Sequence, residues 1–131
     1  MSGSKTLRVL VVDDQPAVCE VVADCVTYAG HQVVAKAKDG QEAVASAELH
    51  RPDLVVMDVA MPRLDGVKAM EAILKAGSAR WVVLMSGEYR SLGYTPAEMV
   101  QRGAKAFMEK PFDVSRLFGL LDELAARLGA P

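Results

Sequence analysis

Asp53-Leu54-Val55-Val56-Met57-Asp58-Val59-Ala60-Met61-Pro62-Arg63-Leu64-Asp65-Gly66 is the stretch on which the fold turns. Its apolar run is too short for an ordinary helix and rich in valine, which predicts a strand buried on both faces. The run ends on the acidic Asp58, and Pro62 and Gly66 then punctuate a loop. A buried strand that delivers a carboxylate to its C-terminal end places it where open α/β sheets bind ligands.

The flanking sequence repeats this grammar. Leu7 to Val12 is a β-branched run, broken only by Arg8, that stops at Asp13-Asp14. Pro16 suits the first turn of a helix, and Val18, Val21, Val22, Cys25, Val26 and Ala29 recur at helical spacing before Gly30. His31 to Ala37 is a second strand. Asp39 and Glu42 have capping-box spacing for a helix carrying Ala43, Val44, Ala47 and Leu49 as far as about His50. Beyond the central strand, Asp65 caps a helix bearing Val67, Met70, Ile73 and Leu74, closed by Gly77. Trp81 to Met85 forms a fourth strand, ending at Ser86-Gly87. A polar loop from Glu88 to Tyr94 leads into a second capping box, Thr95-Pro96-Ala97-Glu98, and a short helix. Lys105 to Glu109 is a fifth strand, and Asp113 caps a last helix with Leu117, Leu120, Leu121, Leu124 and Leu128 on one stripe.

Strands alternating with helices predict one α/β domain, a (βα)5 doubly wound parallel sheet of five strands joined by right-handed crossovers. Residues 6–128 read as that domain. Met1 to Lys5 resembles a leader or frayed end, and 129–131 a tail. The 131 residues are enough for a full core, and 51% hydrophobic content excludes disorder. Fifteen basic residues against 17 acidic ones leave no basic stripe for nucleic acid. No apolar run is long enough to span a membrane. Cys19 and Cys25 lie on different faces of one helix and lack further metal ligands, which suits unpaired thiols in the cytoplasm.

In a parallel sheet the strand C-termini open on one edge, so Asp13, Asp14, Asp58 and Ser86 converge there, with Lys110 following the fifth strand. Singly, each has a plain explanation: Asp13 or Asp14 as a helix N-cap, Ser86 as a turn residue, Lys110 as a solvated charge. Together they are costly. Three crowded carboxylates repel by roughly 1 kcal/mol per pair in water and about 4 at an effective dielectric of 20. A divalent cation and one lysine neutralise them, and Mg2+ fits an all-oxygen set that also admits phosphate. A carboxylate beside Mg2+ is a nucleophile for phosphorus, with lysine and hydroxyl left to hold the remaining phosphoryl oxygens. The residues thus point to phosphorylation of Asp58.

The chain resembles the receiver domain of two-component response regulators over about Thr6 to Leu128. The resemblance is carried by Val9-Leu10-Val11-Val12-Asp13-Asp14, the Asp58 strand with Met61-Pro62 and Asp65-Gly66, Met85-Ser86-Gly87, and Lys110-Pro111-Phe112. It implies a flavodoxin-like sheet of order 2-1-3-4-5, the order for which the chemotaxis receiver is a standard example. It implies that Asp58 is the phosphoacceptor, that Asp13, Asp14 and the Ala60 carbonyl hold Mg2+, with Mn2+ as a substitute, and that Ser86 is the switch hydroxyl. Lys110 would pair with the phosphoryl group and precede a cis bond to Pro111. Phe107 would be the rotating switch aromatic, its plain reading being a fixed core ring. Ala60 and Glu88 stand where the family tunes dephosphorylation, although a solvated charge explains Glu88 equally well.

The implied partners are a sensor histidine kinase or histidine phosphotransfer protein, docking near Gln15, Pro16, Cys19, Pro111 and Phe112, and a downstream effector. No nucleic acid or membrane contact is implied, and the chain would be a monomer or a weak phosphorylation-dependent dimer. Two departures stand out: a long segment between Ser86 and Lys110, and phenylalanine in place of tyrosine at Phe107. The reading is therefore a phosphorylation-activated switch, a regulatory domain rather than an enzyme. Its alternative is an interaction module that keeps the fold without using phosphate. A phosphoester hydrolase of the dehalogenase type would want an acid where Ala60 stands. A flavin site would want a phosphate-cradling loop after the first strand, where Asp13-Asp14 stands instead.

Overall fold

The computed structural model describes residues 5–128; the predicted tail at 129–131 and all of the predicted leader except the exposed Lys5 lie outside the described residues. Strand β1 (Arg8–Val12) is followed by α1 (Pro16–Tyr28), β2 (Gln32–Ala37), α2 (Gly40–His50), β3 (Leu54–Asp58) and α3 (Gly66–Ala76). Then come β4 (Trp81–Ser86), a 3-10 turn (Tyr89–Leu92), α4 (Pro96–Gln101), β5 (Ala106–Glu109) and α5 (Val114–Leu128). The five strands pair in parallel in the order β2-β1-β3-β4-β5.

Strand β3 is buried at every position, and its residues alternate between two cores. Val55 and Met57 join Leu10, Leu84, Met70 and Ile73 on one face; Val56 joins Val11, Met85, Leu117 and Leu121 on the other. This double burial is why the strand reads as a continuous apolar run and not as an alternating one. Edge strand β2 is less enclosed, with only Ala37 fully buried. No described helix is long and apolar enough to cross a membrane.

The caps form where expected. The Glu42, Lys68 and Glu98 amides donate to the side chains of Asp39, Asp65 and Thr95 at 2.8, 2.9 and 3.1 Å. The return arm of the first box differs, because Glu42 Oε1 accepts from the Lys38 amide at 3.2 Å. Asp113 Oδ1 accepts from the Ser115 amide at 2.9 Å at the start of α5. Helix α3 closes on Gly77 at φ +69°, a left-handed conformation that glycine adopts at low cost.

Three burial assignments are corrected. Val21 is 56% exposed and Leu49 is 77% exposed. The inward stripe of α1 is Cys19, Val22, Ala23 and Val26, and that of α2 contains Ala43 and Ala47. At 100° per residue Val21 and Leu49 each lie roughly 140–150° round from the centre of their stripe, on the outward side of the helix. Tyr89, predicted within a polar loop, is buried and meets the Phe107 ring edge-on, centroids 4.8 Å apart. The two cysteines are unpaired, as predicted.

Candidate functional site

The register of the sheet assembles the site. Asp58, the last residue of β3, pairs with Met85; the next residue of β4, Ser86, pairs with Glu109, which precedes Lys110. Asp13 and Asp14 follow β1, which lies beside β3 on its other side. Carboxylate oxygens of Asp13, Asp14 and Asp58 come within 4.8 Å of one another. Asp13 and Asp58 are buried, whereas Asp14 faces solvent. A cleft of about 210 Å³ opens over them, lined by Asp14, Gln15, Asp58, Ala60, Ser86, Gly87, Glu88 and Lys110.

Asp13 is not the N-cap of α1. Gln15 holds the N-cap position of α1 and makes no side-chain cap. Asp13 Oδ1 accepts from the Gln15 amide at 2.9 Å, while its Oδ2 accepts from Lys110 Nζ at 2.7 Å. The ammonium also stands 3.6 Å from Asp58 Oδ1, so one cation bridges two buried carboxylates. Burial pushes the Asp58 carboxyl up to about 6; Lys110 opposes the rise, and Asp13 and Asp14 add to it. An environment that resists this charge until a cation arrives suits an all-oxygen metal site. The residues present fit Mg2+: two buried carboxylates and one exposed, close enough to share an ion, under an open cleft, lined in part by Ala60, for water and phosphate.

Ser86 is buried, and its Oγ accepts from the Glu88 amide at 3.0 Å. Glu88 is exposed at the rim of the cleft. Phe107 is buried against Tyr89 and one of its sides borders a surface groove between α4 and α5. The Lys110–Pro111 bond is cis. Of the predicted docking residues, Gln15, Pro16 and Pro111 are exposed and Phe112 is half-buried. Cys19 is the exception. It is buried, its thiol faces the Val11 carbonyl at 3.9 Å, and burial raises its pKa, so it belongs to the core and not to a docking face.

The loop bearing Ala60 is held by two close approaches. A Cβ on Gly66 would stand 2.2 Å from the Asp58 carbonyl oxygen, and one on Gly40 would stand 2.0 Å from that of Leu64. Asp39 adds a polar tie to the same loop, because its Oδ2 accepts from Arg63 Nη1 at 2.9 Å. Arg63 sits at φ +70°. Sequence reasoning assigned Asp39 only its capping role. No local pattern marks the second role, which depends on a residue 24 positions away.

Sheet order and the chemistry of this edge define a receiver domain. The sequence matches the model of the response regulator receiver domain over residues 9–122, and the chain belongs to that family of two-component signalling domains. It is 39% identical over 120 residues to the transcriptional regulatory protein PdtaR of Mycobacterium tuberculosis, covering 92% of this chain and 57% of PdtaR. The chain thus spans little more than half the length of that relative. It is 33% identical to the chemotaxis protein CheY of Thermotoga maritima, covering 90% of this chain and 97% of CheY. Among solved structures, the response regulator domain of Thermotoga maritima CheB superposes with a TM-score of 0.80 at 31% identity, over 94% of this chain and 98% of that one. A Borrelia burgdorferi CheX–CheY–BeF3–Mg complex matches with a TM-score of 0.78 at 26% identity, over 95% of this chain and 90% of the matched chain.

Proposed function

We propose that this domain is a phosphoryl-accepting switch in which Asp58 takes the phosphoryl group from a phosphohistidine donor. The carrying observation is the convergence of Asp13, Asp14 and Asp58 within 4.8 Å beneath an open cleft, with Lys110 set between two of them. Asp13, Asp14, Asp58 and the Ala60 carbonyl would hold Mg2+, which supplies charge neutralisation for the nucleophile and the incoming phosphoryl oxygens. A carboxylate oxygen of Asp58 attacks phosphorus; the new O–P bond forms as the N–P bond of the donor breaks, the electron pair leaving on the imidazole nitrogen. Lys110 and Ser86 hold phosphoryl oxygens by charge and hydrogen bond, so catalysis is mainly positioning and electrostatics.

Docking of the donor is supported by an apolar groove of about 470 Å³ beside the cleft, lined by Ala17, Val18, Val21, Val22, Pro111, Phe112 and Val114 with Lys110 at its edge. Exposed Val21 has a use there. Glu88, at the rim of the cleft, would orient a water for dephosphorylation, and the small Ala60 would leave the approach open. Ser86 and Phe107 would relay the phosphorylated state to an effector at the groove between α4 and α5.

Incubation with acetyl phosphate and Mg2+, read by intact mass, tests the reading. A single phosphoryl adduct that needs the metal and is released by hydroxylamine is expected. Absence of an adduct with this donor and with a panel of kinases would overturn the proposal in favour of a phosphate-independent interaction module.

A further inference from the structure

Helix α4 is weakly anchored by apolar packing. It is short, and Met99 is its one buried side chain. What it has instead is a set of polar ties to α3. The Tyr94 hydroxyl, just before the helix, donates to Asp65 Oδ2 at 3.0 Å. Arg102, just after it, donates from Nε and Nη2 to the two oxygens of Glu71 at 3.0 and 2.7 Å, a bidentate pair. The Arg102 guanidinium also lies over the Tyr94 ring at 5.2 Å and reaches Glu98 at 3.3 Å. The side chains are partly shielded, with Arg102 30% exposed. Bidentate, stacked arginine is the geometry in which an ion pair retains strength near a surface.

This network reaches the site through backbone. Asp65 uses its other oxygen to cap α3 through the Lys68 amide. Its neighbour Gly66 is pressed against the Asp58 carbonyl, and the Gly66 amide donates to the Val59 carbonyl at 2.8 Å. At the far end, Tyr94 closes the segment that begins at Ser86. Ser86 Oγ now accepts from the Glu88 amide, and Tyr89 is wedged against Phe107. If Ser86 turns toward a phosphoryl group it releases that amide, and the chain from Gly87 to Tyr94 must follow.

We infer that Tyr94 and Arg102 form a latch to Asp65 and Glu71 that holds α4 and the β4–α4 segment in the resting arrangement, so that phosphorylation must work against it. This inference rests on the phosphoacceptor reading of Asp58. Tyr94 and Arg102 act as positioning residues, since neither touches the cleft. A latch of this kind lowers the fraction of molecules competent to close on phosphate and weakens apparent affinity by the same factor.

The test measures beryllofluoride affinity in the presence of Mg2+ for wild type, Tyr94→Phe, Arg102→Lys and Glu98→Gln. Alongside it, amide exchange of α4 is recorded without beryllofluoride. Tyr94→Phe and Arg102→Lys should each loosen α4 and tighten beryllofluoride binding by about threefold to tenfold. Glu98→Gln, which removes only the pair within the helix, should leave affinity unchanged. A merely structural role predicts faster exchange with equal or weaker affinity, and that result would overturn the latch while leaving the phosphoacceptor reading intact. Wild-type protein that takes no beryllofluoride would overturn that reading and the latch with it.

Discussion

Lys110 Nζ lies 2.7 Å from Asp13 Oδ2 and 3.6 Å from Asp58 Oδ1, so one ammonium joins the ends of β1, β3 and β5. Both carboxylates are buried, and the lysine side chain is only 20% exposed. Removing one partner of such a set leaves buried charge uncompensated, which costs far more than the pair itself contributes. Lys110→Met should therefore destabilise the metal-free domain by about 2–4 kcal/mol at neutral pH. Added Mg2+ should recover part of that loss in a thermal melt. A melting temperature equal to wild type without Mg2+ would show that the lysine is not compensating these acids.

Asp58 itself should be a liability to the metal-free fold. Its carboxyl titrates at about 6 because burial disfavours the charge, well above the ordinary aspartate value. A carboxyl whose folded value is raised stabilises the protein below its unfolded value and loses that contribution as pH rises through the folded one. The metal-free domain should accordingly gain stability from this group as pH falls from above 6 toward 4. At pH 7 Asp58→Asn should raise stability by about 1–3 kcal/mol, the upper figure corresponding to the full shift at 1.36 kcal/mol per unit. Chemical denaturation with and without Mg2+ checks this, and the gain should shrink when the metal is present.

His31 gives pH dependence of the opposite sign. Its Nδ1 accepts from the Leu7 amide at 3.1 Å, which only the neutral ring with its proton on Nε2 can do. Burial lowers its pKa, with Asp122 acting against the shift. The neutral ring is thus favoured by folding, and its contribution is present above the ordinary histidine value and lost as pH falls through that value toward the folded one. Amide exchange at Leu7 should accelerate in that window, and His31→Gln should flatten the response. An unchanged profile in the variant would contradict the assignment.

Gly66→Ala should cost more than an ordinary glycine-to-alanine change. The new methyl would meet the Asp58 carbonyl oxygen at 2.2 Å, so the loop carrying Ala60 must shift. A loss of about 1–3 kcal/mol is expected from such overpacking. Weaker Mg2+ binding by calorimetry should accompany it. Gly77→Ala, which meets no atom within 4 Å but sits at φ +69°, separates backbone strain from steric conflict and should leave Mg2+ binding unaltered.

Much of this was legible in the sequence, for reasons visible in particular residues. Asp58 could be placed because a fully buried strand leaves an unbroken apolar run, and the first polar residue after it marks the sheet edge. The caps at Asp39, Asp65 and Thr95 were legible because capping is a local interaction with fixed spacing. Burial of Tyr89 and the outward placement of Val21 were not. Each depends on which helix face meets the sheet, or on a loop folding back, and a short chemical pattern does not encode that. The Arg63–Asp39 and Arg102–Glu71 pairs join residues 24 and 31 positions apart, so they were equally hidden.

Asp58, and no other carboxylate, is expected to carry the phosphoryl group. Borohydride reduction of protein treated with acetyl phosphate and Mg2+, followed by peptide mass mapping, reads the position directly, because reduction of an aspartyl phosphate leaves homoserine at the acceptor. Homoserine at position 58, absent without Mg2+ and absent in Asp58→Asn, is the expected result. Homoserine at position 13 or 14 in place of 58, or at none of the three, would contradict the account.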